Sequence, residues 1–419
     1  MLNKINFSSI YSKGVISLFK GSLWAQIIGL IGTLGIAKLY GPDFLGVFSK
    51  FMSLSSILAI FFTLRLESAF VLTNDENKLK TIFSSIIYTI ITGGVIILLL
   101  ILTFPESFFL KINFLRIYIV FCILGAVLKS IESAYLSYLL RQKKFKDIAL
   151  SRIIFTIIRY LFQIGLFFFL PEIGLLLGFI ITSLIILLFY YKKTGNLFLR
   201  ISFNEFKETL SSNINLVSYG VISDNLNAVN LHIIPLLAGI YFSDTEIGWY
   251  FLATVLLSVP VSFISSSFSK VFFLKASEIY NENSQKLFLF LKNYTIRLSL
   301  SLLVPFLLFF LFSESFILIF LEEKWIKVGL YIQLLSFLFY FRAIYNPISY
   351  LEEVLKKNHV GLLFNISLIL GNLMAVYIGY LEQSFMSTIK IISYLFPICY
   401  LIMISYFLIT TYQLRFKKF

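Results

Sequence analysis

The sequence has few of the residues on which soluble enzymes and metalloproteins depend. Its 419 residues include 2 cysteines, 2 histidines and 21 acidic side chains, against 35 basic ones. Cys122 and Cys399 both fall inside apolar stretches, where thiols pack as small hydrophobic groups, so neither a disulfide framework nor a metal site is expected. The chain also lacks a Gly-x-x-x-x-Gly-Lys-Ser/Thr phosphate-binding loop, which argues against an ATP-driven pump.

Charged residues as a whole are scarce, and apolar residues dominate. Hydrophobic residues make up 59% of the chain and charged residues 13%, with a mean hydropathy of +0.91. These values lie outside the range of soluble domains and indicate an integral membrane protein. Runs such as GGVIILLLILTF are apolar on every side, which favours helices of about 20 residues over β-barrel strands. The twelve predicted spans are 14–39, 44–64, 81–104, 114–138, 148–170, 172–191, 213–240, 246–269, 290–312, 326–350, 360–380 and 388–411.

Lysine and arginine are distributed unevenly between the connections. One set of alternate connections carries most of them, including RQKKFK at 141–146 and the C-terminal RFKKF. The opposite set carries only Lys111, Lys324 and Lys327. Because basic residues in short loops are retained on the cytoplasmic side, both termini are predicted to be cytoplasmic. The net charge of +14 reflects this bias, so no nucleic-acid partner is expected.

Two stretches of the chain recur about two hundred residues later. AKLYGPDFLGVF at 37–48 aligns with AGIYFSDTEIGWY at 238–250 if one residue is inserted. The stretch at 128–144 aligns without a gap with the stretch at 341–357, and each ends in a pair of lysines. These matches predict two parallel six-helix halves, which is a pattern found in transporters with a substrate site between the repeats.

The break between the halves falls in a charged segment. We predict an N-terminal lobe at 1–191, a cytoplasmic linker at 192–210 and a C-terminal lobe at 211–419. The architecture expected from this division is an all-α membrane protein built from two pseudo-symmetric bundles.

Several charged residues lie inside predicted spans, where a charge at the centre costs about 2.5–3.5 kcal/mol on insertion scales. Such residues usually face an interior cavity or one another. Arg152, Arg159 and Gln163 are separated by seven and four residues, so they lie on one stripe of the fifth span. The residues predicted to line a cationic substrate cavity are Arg159, Arg152, Lys129, Lys50, Arg342, Gln163 and Asn227.

Two acidic residues in predicted spans are candidates for ion coupling. Glu132 lies three residues from Lys129, a spacing that also allows an ion pair within one helix. Asp224 lies in the seventh span, which is too polar for a lipid-facing helix and fits one that lines a wet cavity. Asp224 is a candidate for a coupling role or for a structural partner of a nearby cation. Coupling to H⁺ or Na⁺ is left open, and no other cofactor is expected.

The stretch LYGPDFLGVFSKFMSLSSILAIFFTLRLES resembles the N-terminal signature of the polysaccharide biosynthesis family, the O-antigen (Wzx-type) flippases. In that family a Tyr-Gly-Pro-acidic turn joins the first two helices, and a Leu-Arg-x-Glu sequence ends the second. The eighth span and SYLLRQKKFKDIALSRI, after the fourth, are similar to the family as well. The residues that carry the N-terminal resemblance are Tyr40, Gly41, Pro42, Asp43, Gly46, Phe48, Arg65 and Glu67.

The resemblance implies a fold and a substrate. The fold is that of the multidrug/oligosaccharidyl-lipid/polysaccharide (MOP) exporters, in which two six-helix bundles form a V and alternate between inward-open and outward-open states. The implied substrate is an oligosaccharide on undecaprenyl diphosphate, flipped across the bacterial inner membrane for O-antigen, capsule or exopolysaccharide synthesis. Membrane lipids, the polysaccharide polymerase and the chain-length machinery are the implied partners. An arginine-lined cavity suits the diphosphate, because guanidinium groups match phosphate oxygens.

Two other functions compete with this one. A MATE-like drug antiporter would be expected to use intramembrane acids, but intramembrane bases outnumber acids here. A multi-span polysaccharide polymerase or ligase usually carries catalytic residues in a large external loop, whereas the longest external loop here has about a dozen residues. The sequence therefore predicts a transporter and not an enzyme.

Overall fold

The computed structural model describes residues 9–73, 75–104, 116–214, 221–414 and 416, which contain helices and no strand. The helices are α1 (Ser9–Thr63), α2 (Ala69–Leu72), α3 (Glu76–Thr103), α4 (Arg116–Arg141), α5 (Phe145–Phe167), α6 (Pro171–Thr194), α7 (Phe203–Ser212), α8 (Val221–Tyr241), α9 (Asp244–Asn283), α10 (Leu287–Phe320), α11 (Ile326–Ile348), α12 (Leu351–Val354), α13 (Asn358–Leu381) and α14 (Phe385–Gln413). Short 3₁₀ turns lie at Leu66–Ser68, Ser284–Lys286 and Glu323–Trp325. The predicted all-α fold class is confirmed.

Ten segments of the described chain are long and apolar enough to cross a membrane. One of them, Lys20–Thr63, overlaps both of the first two predicted spans. The predicted seventh span corresponds to α8 (Val221–Tyr241), which is not among the ten. Residues 215–220 of that span lie outside the described chain. The protein is a multi-pass membrane protein.

α1 consists of two helices joined at Gly41, which has φ 81° and ψ 174°. This backbone conformation is essentially restricted to glycine. Before Gly41 the helix packs on α5, where Gly21 touches Ala149. After Gly41 it packs on α4, where Ser55 Oγ donates to Cys122 O over 3.0 Å. The predicted turn between the first two spans is therefore present, and the chain changes its helix neighbour there.

The second pair of recurring stretches forms the same turn twice. Lys143 and Lys356, which the gapless alignment pairs, have φ values of 57° and 56°. The backbone N–H groups of Lys144 and Lys357 each donate to the carbonyl five residues earlier, over 2.9 Å and 2.7 Å. Both turns are the left-handed helix ending that usually employs glycine. The internal repeat is thus reproduced at the level of individual residues.

The helices group into two compact units, Met1–Ile240 and Tyr241–Phe419. The first unit includes α7, which begins with a capping box between Ser202 and Glu205. It also includes most of α8, which the sequence analysis assigns to the C-terminal lobe. The lobe boundary at 192–210 and the cytoplasmic side of the termini stay predictions.

Replacing Gly41 with alanine should destabilise the protein by about 1–3 kcal/mol, because a side chain is strained in this backbone conformation. Gly35 is a matched control, since neither glycine has a neighbour within 4 Å of the position a Cβ would take. Gly35 is helical, so Gly35→Ala should be neutral or stabilising by up to about 1 kcal/mol. Thermal unfolding of the purified variants in detergent measures both effects, and equal midpoints would contradict the strained turn.

Candidate functional site

Lys129 lies in α4 and reaches across to α1. Its Nζ donates to Ser56 Oγ over 2.8 Å and to Met52 O over 3.3 Å. The ammonium also lies 5.3 Å from the centroid of the Phe179 ring in α6. The two hydrogen bonds and the aromatic face together surround a group that has three donors. The hydrogen bonds join α4 to α1, although the spacing to Glu132 allows a pair within α4.

Arg159 lies in α5 and is held by aromatic side chains. Its Nη2 donates to Tyr160 Oη over 2.6 Å. The guanidinium carbon lies 4.5 Å from the Tyr160 ring centroid and 5.8 Å from that of Phe155. The Nε of Arg159 is buried and has no hydrogen-bond partner among the described residues. This nitrogen can therefore donate to a further acceptor, such as a phosphate oxygen.

The cations of the first unit share one electrostatic environment. Lys129 lies within electrostatic range of Arg159, and both Lys129 and Lys50 lie within range of Cys122. Lys50 is 3% exposed, and its aliphatic stem lies against Gly239 of α8. Like charges repel one another in a low-dielectric interior, and an anion between them relieves that repulsion. Arg152 lies within electrostatic range of Glu132, which is also within range of Lys129. We call Lys50, Lys129, Arg152 and Arg159 the cationic cluster.

Glu132 is an acidic residue beside the cationic cluster. It lies within electrostatic range of both Lys129 and Arg152. One carboxylate cannot balance four cations, so these five side chains together carry a net positive charge when all are ionised. Among the described residues, no group of three or more His, Cys, Asp or Glu is placed to hold a metal ion.

Burial rises along the predicted stripe of α5. Arg152 is exposed, Arg159 is half-buried and Gln163 is 0% exposed. The Nε2 of Gln163 donates to Leu175 O in α6 over 2.9 Å. Gly178 allows this close approach, because a Cβ there would meet the backbone of Gln163. Gln163 thus joins α5 to α6, and its predicted contact with a substrate stays a prediction.

The other predicted substrate and coupling residues lie on other helices. Arg342, in α11 of the second unit, lies 5.7 Å from the Phe339 ring centroid and within electrostatic range of Tyr400. Asn227 is exposed on α8. The side chain of Asp224 lies outside the described part of the chain. The predicted roles of these residues stay predictions.

The residues of the family motif lie at the two ends of the second part of α1. Tyr40 Oη donates to Gln163 O over 2.6 Å, which fixes the helix end before the Gly41 turn. At the other end, Arg65 has a φ of 58° and begins the 3₁₀ turn that contains Glu67. The motif therefore shapes the local backbone, and its part in transport stays a prediction.

Sequence reasoning missed the side chains that hold the two central cations, namely Ser56, Phe179 and Tyr160. Serines and aromatic residues are common in spanning helices, so their type alone does not single them out. One signal was available in GLIGTLG at 29–35, because small residues at this spacing predict a close helix contact. Gly32 in this stretch lies directly against the Tyr160 ring.

Several solved structures share this fold. The lipid II flippase MurJ, in an inward closed conformation, matches with a TM-score of 0.75 and 17% identity, over 94% of this chain and 87% of that one. An inward-facing multidrug resistance MATE family transporter of the MOP superfamily matches with a TM-score of 0.62 and 13% identity, over 99% and 97%. A MOP superfamily transporter from Pyrococcus furiosus matches with a TM-score of 0.52 and 12% identity, over 98% of each chain. These likenesses show that the protein has the MOP exporter fold.

The family is shown by the sequence itself. A family model described as polysaccharide biosynthesis protein matches residues 36–330, which is more than half of the chain. The protein therefore belongs to the polysaccharide biosynthesis family, and the resemblance carried by the N-terminal motif is confirmed. No curated protein matches this sequence.

Two substitutions test whether the Lys129 ammonium is there for stability. Ser56→Ala removes an acceptor from a half-buried cation and should destabilise the protein by about 1–3 kcal/mol. Lys129→Met should cost less, because Ser56 Oγ also donates to Met52 O over 2.7 Å and keeps that partner. Replacing a buried charge with an apolar side chain of similar size is often neutral or stabilising. Thermal unfolding in detergent measures the loss of stability in each variant. A larger loss in Lys129→Met than in Ser56→Ala would show that the ammonium is mainly structural.

Proposed function

We propose that the protein is a flippase for lipid-linked saccharides. It moves undecaprenyl-diphosphate-linked oligosaccharide units from the inner to the outer leaflet of the bacterial cytoplasmic membrane by alternating access. The observation that carries the proposal is the cationic cluster in the first unit, where Lys129 and Arg159 lie within range of each other. Membership of the polysaccharide biosynthesis family supports it, as does the fold shared with a lipid II flippase.

The cationic cluster suits the part of the substrate that is hardest to move. A diphosphate sugar head cannot cross hydrocarbon unaided, because its charges and hydroxyl groups would lose their water. Fixed cations replace that water without reorganising, and a guanidinium matches phosphate oxygens in its geometry. The polyprenyl tail remains in lipid throughout. The protein therefore needs to bind only the head group, and the proposed function involves no covalent chemistry.

The product of such a flippase is a lipid-linked repeat unit on the outer leaflet. A polymerase with its chain-length machinery would consume this unit in the synthesis of O-antigen, capsule or exopolysaccharide. These proteins are therefore the partners that we propose, together with membrane lipids.

Transport of fluorescent undecaprenyl-diphosphate oligosaccharide in proteoliposomes tests the proposal. Arg159→Ala should lower the rate at least tenfold, and Arg159→Lys should not restore it, since a lysine lacks the planar pair of donors. Arg200→Ala is the matched control, because Arg200 is an exposed arginine in the segment between α6 and α7, outside the predicted spans. Its rate should match that of the wild type.

The same assay decides between the competing functions. If the wild type does not translocate the lipid but exports small organic cations, the protein would be assigned to the MATE-like drug antiporters. Joining of saccharide units without translocation would move it to the polymerases or ligases.

We propose further that Glu132 couples transport to H⁺ or Na⁺, with Asp224 as a second candidate. Neutralising Glu132 removes a negative charge beside Lys129 and Arg152, which strengthens the attraction of the cluster for an anion.

Glu132→Gln should therefore bind the lipid head group more tightly and should transport it at a rate independent of an imposed ion gradient. Proteoliposome assays with and without each gradient measure this, and the exposed Glu172→Gln at the start of α6 is the control. Full gradient dependence in Glu132→Gln would eliminate Glu132 as the coupling group.

A further inference from the structure

The hydroxyl of Tyr160 joins α5 to the first part of α1. Its oxygen donates to Gly29 O over 2.9 Å and lies 2.7 Å from Thr33 Oγ1. Arg159 Nη2 donates to the same oxygen over 2.6 Å. A phenol has one proton and two lone pairs. With its proton directed at Gly29, the oxygen accepts from both Arg159 and Thr33, so its hydrogen-bonding capacity is full.

The ring of Tyr160 is held as firmly as its hydroxyl. Tyr160 is 6% exposed, and its ring lies so close to Gly32 that a Cβ at that position would overlap it. The Arg159 guanidinium lies over the face of this ring, 4.5 Å from the centroid. Because an arginine side chain has much rotamer freedom to lose, it stays ordered only where contacts restrain it. The ring restrains the distance of the guanidinium from the ring plane, and the hydrogen bond to the hydroxyl restrains its rotation.

We propose that Tyr160 is a positioning residue for Arg159. One terminal nitrogen of the guanidinium is committed to the Tyr160 hydroxyl. The buried Nε, which has no partner among the described residues, and the other terminal nitrogen remain as donors for an anionic head group. The inference rests on the proposed function, in which Arg159 binds the diphosphate of the lipid-linked saccharide. It adds that a neutral phenol, hydrogen-bonded to α1, determines the orientation of the Arg159 guanidinium.

A chemical test of this positioning needs no substrate. Phenylglyoxal modifies arginine guanidinium groups, and mass spectrometry measures its rate at each arginine. In Tyr160→Phe the ring remains but the hydroxyl is lost, so Arg159 should react about tenfold faster, as expected for a hydrogen bond to a charged group. Arg152 on the same helix is the internal reference, and its rate should not change. An unchanged rate at Arg159 would overturn the proposal.

Thr33→Val is the control for helix contact. It removes a hydroxyl from the same network but leaves the bond between Arg159 and Tyr160 in place. Its Arg159 should react within twofold of the wild-type rate. Equal acceleration in Thr33→Val and Tyr160→Phe would show that loosening of the contact between α1 and α5 frees the guanidinium, and would overturn the positioning role.

Transport supplies a second readout. Tyr160→Phe should raise the lipid concentration for half-maximal transport about tenfold, while the maximal rate changes less than twofold. In an Arg159→Lys background the same substitution should have no further effect, since Tyr160 acts through the guanidinium. Additive losses in the double variant would assign Tyr160 a separate structural role. Failure of the wild type to translocate the lipid counts against the proposed function alone, whereas an unchanged modification rate counts against the positioning role alone.

Discussion

A charged side chain inside a bilayer must find its hydrogen-bond partners within the protein, because hydrocarbon supplies none. Lys129 takes its partners from α1, at Ser56 and Met52. Arg159 takes one from Tyr160, whose hydroxyl is anchored in turn on Gly29 of α1. One anchor therefore lies on each side of the Gly41 turn. The packing of the first unit and the retention of its cations depend on the same few hydrogen bonds.

Among the described residues, the hydrogen-bond partners of these two cations are neutral, and this has an electrostatic consequence. A hydroxyl, a carbonyl and an aromatic face satisfy the donors of a cation but do not cancel its charge. The ion pairs of Lys193 with Asp147 and of Lys275 with Glu278, by contrast, are at least partly exposed to solvent. Neutral anchoring leaves the positive potential of the cationic cluster available to an anion, and the low-dielectric surroundings strengthen it.

Hydropathy was sufficient to predict the class of fold, because spanning helices must be apolar over about 20 residues. The Gly-Pro-Asp sequence located the turn at Gly41, since few other residues adopt its backbone conformation. The anchors of the cations could not be predicted in the same way. A stripe such as that of Arg159 is a property of one helix, whereas its partners depend on how neighbouring helices are rotated. For the same reason, the spacing of Lys129 and Glu132 suggested a contact within α4, while the hydrogen bonds of Lys129 cross to α1.

The two copies of the internal repeat share their backbone turns but differ in their charged side chains. The gapless alignment pairs Lys129 with Arg342, so each repeat places a cation next to aromatic rings. The same alignment pairs Glu132 with Tyr345, so the acid beside the cation in the first repeat has no acidic counterpart in the second. The lysine turns that follow are nearly identical in their backbone angles. A duplicated scaffold thus keeps its turns while its charges diverge, so function has to be argued from the charges of each repeat and not from the shared fold.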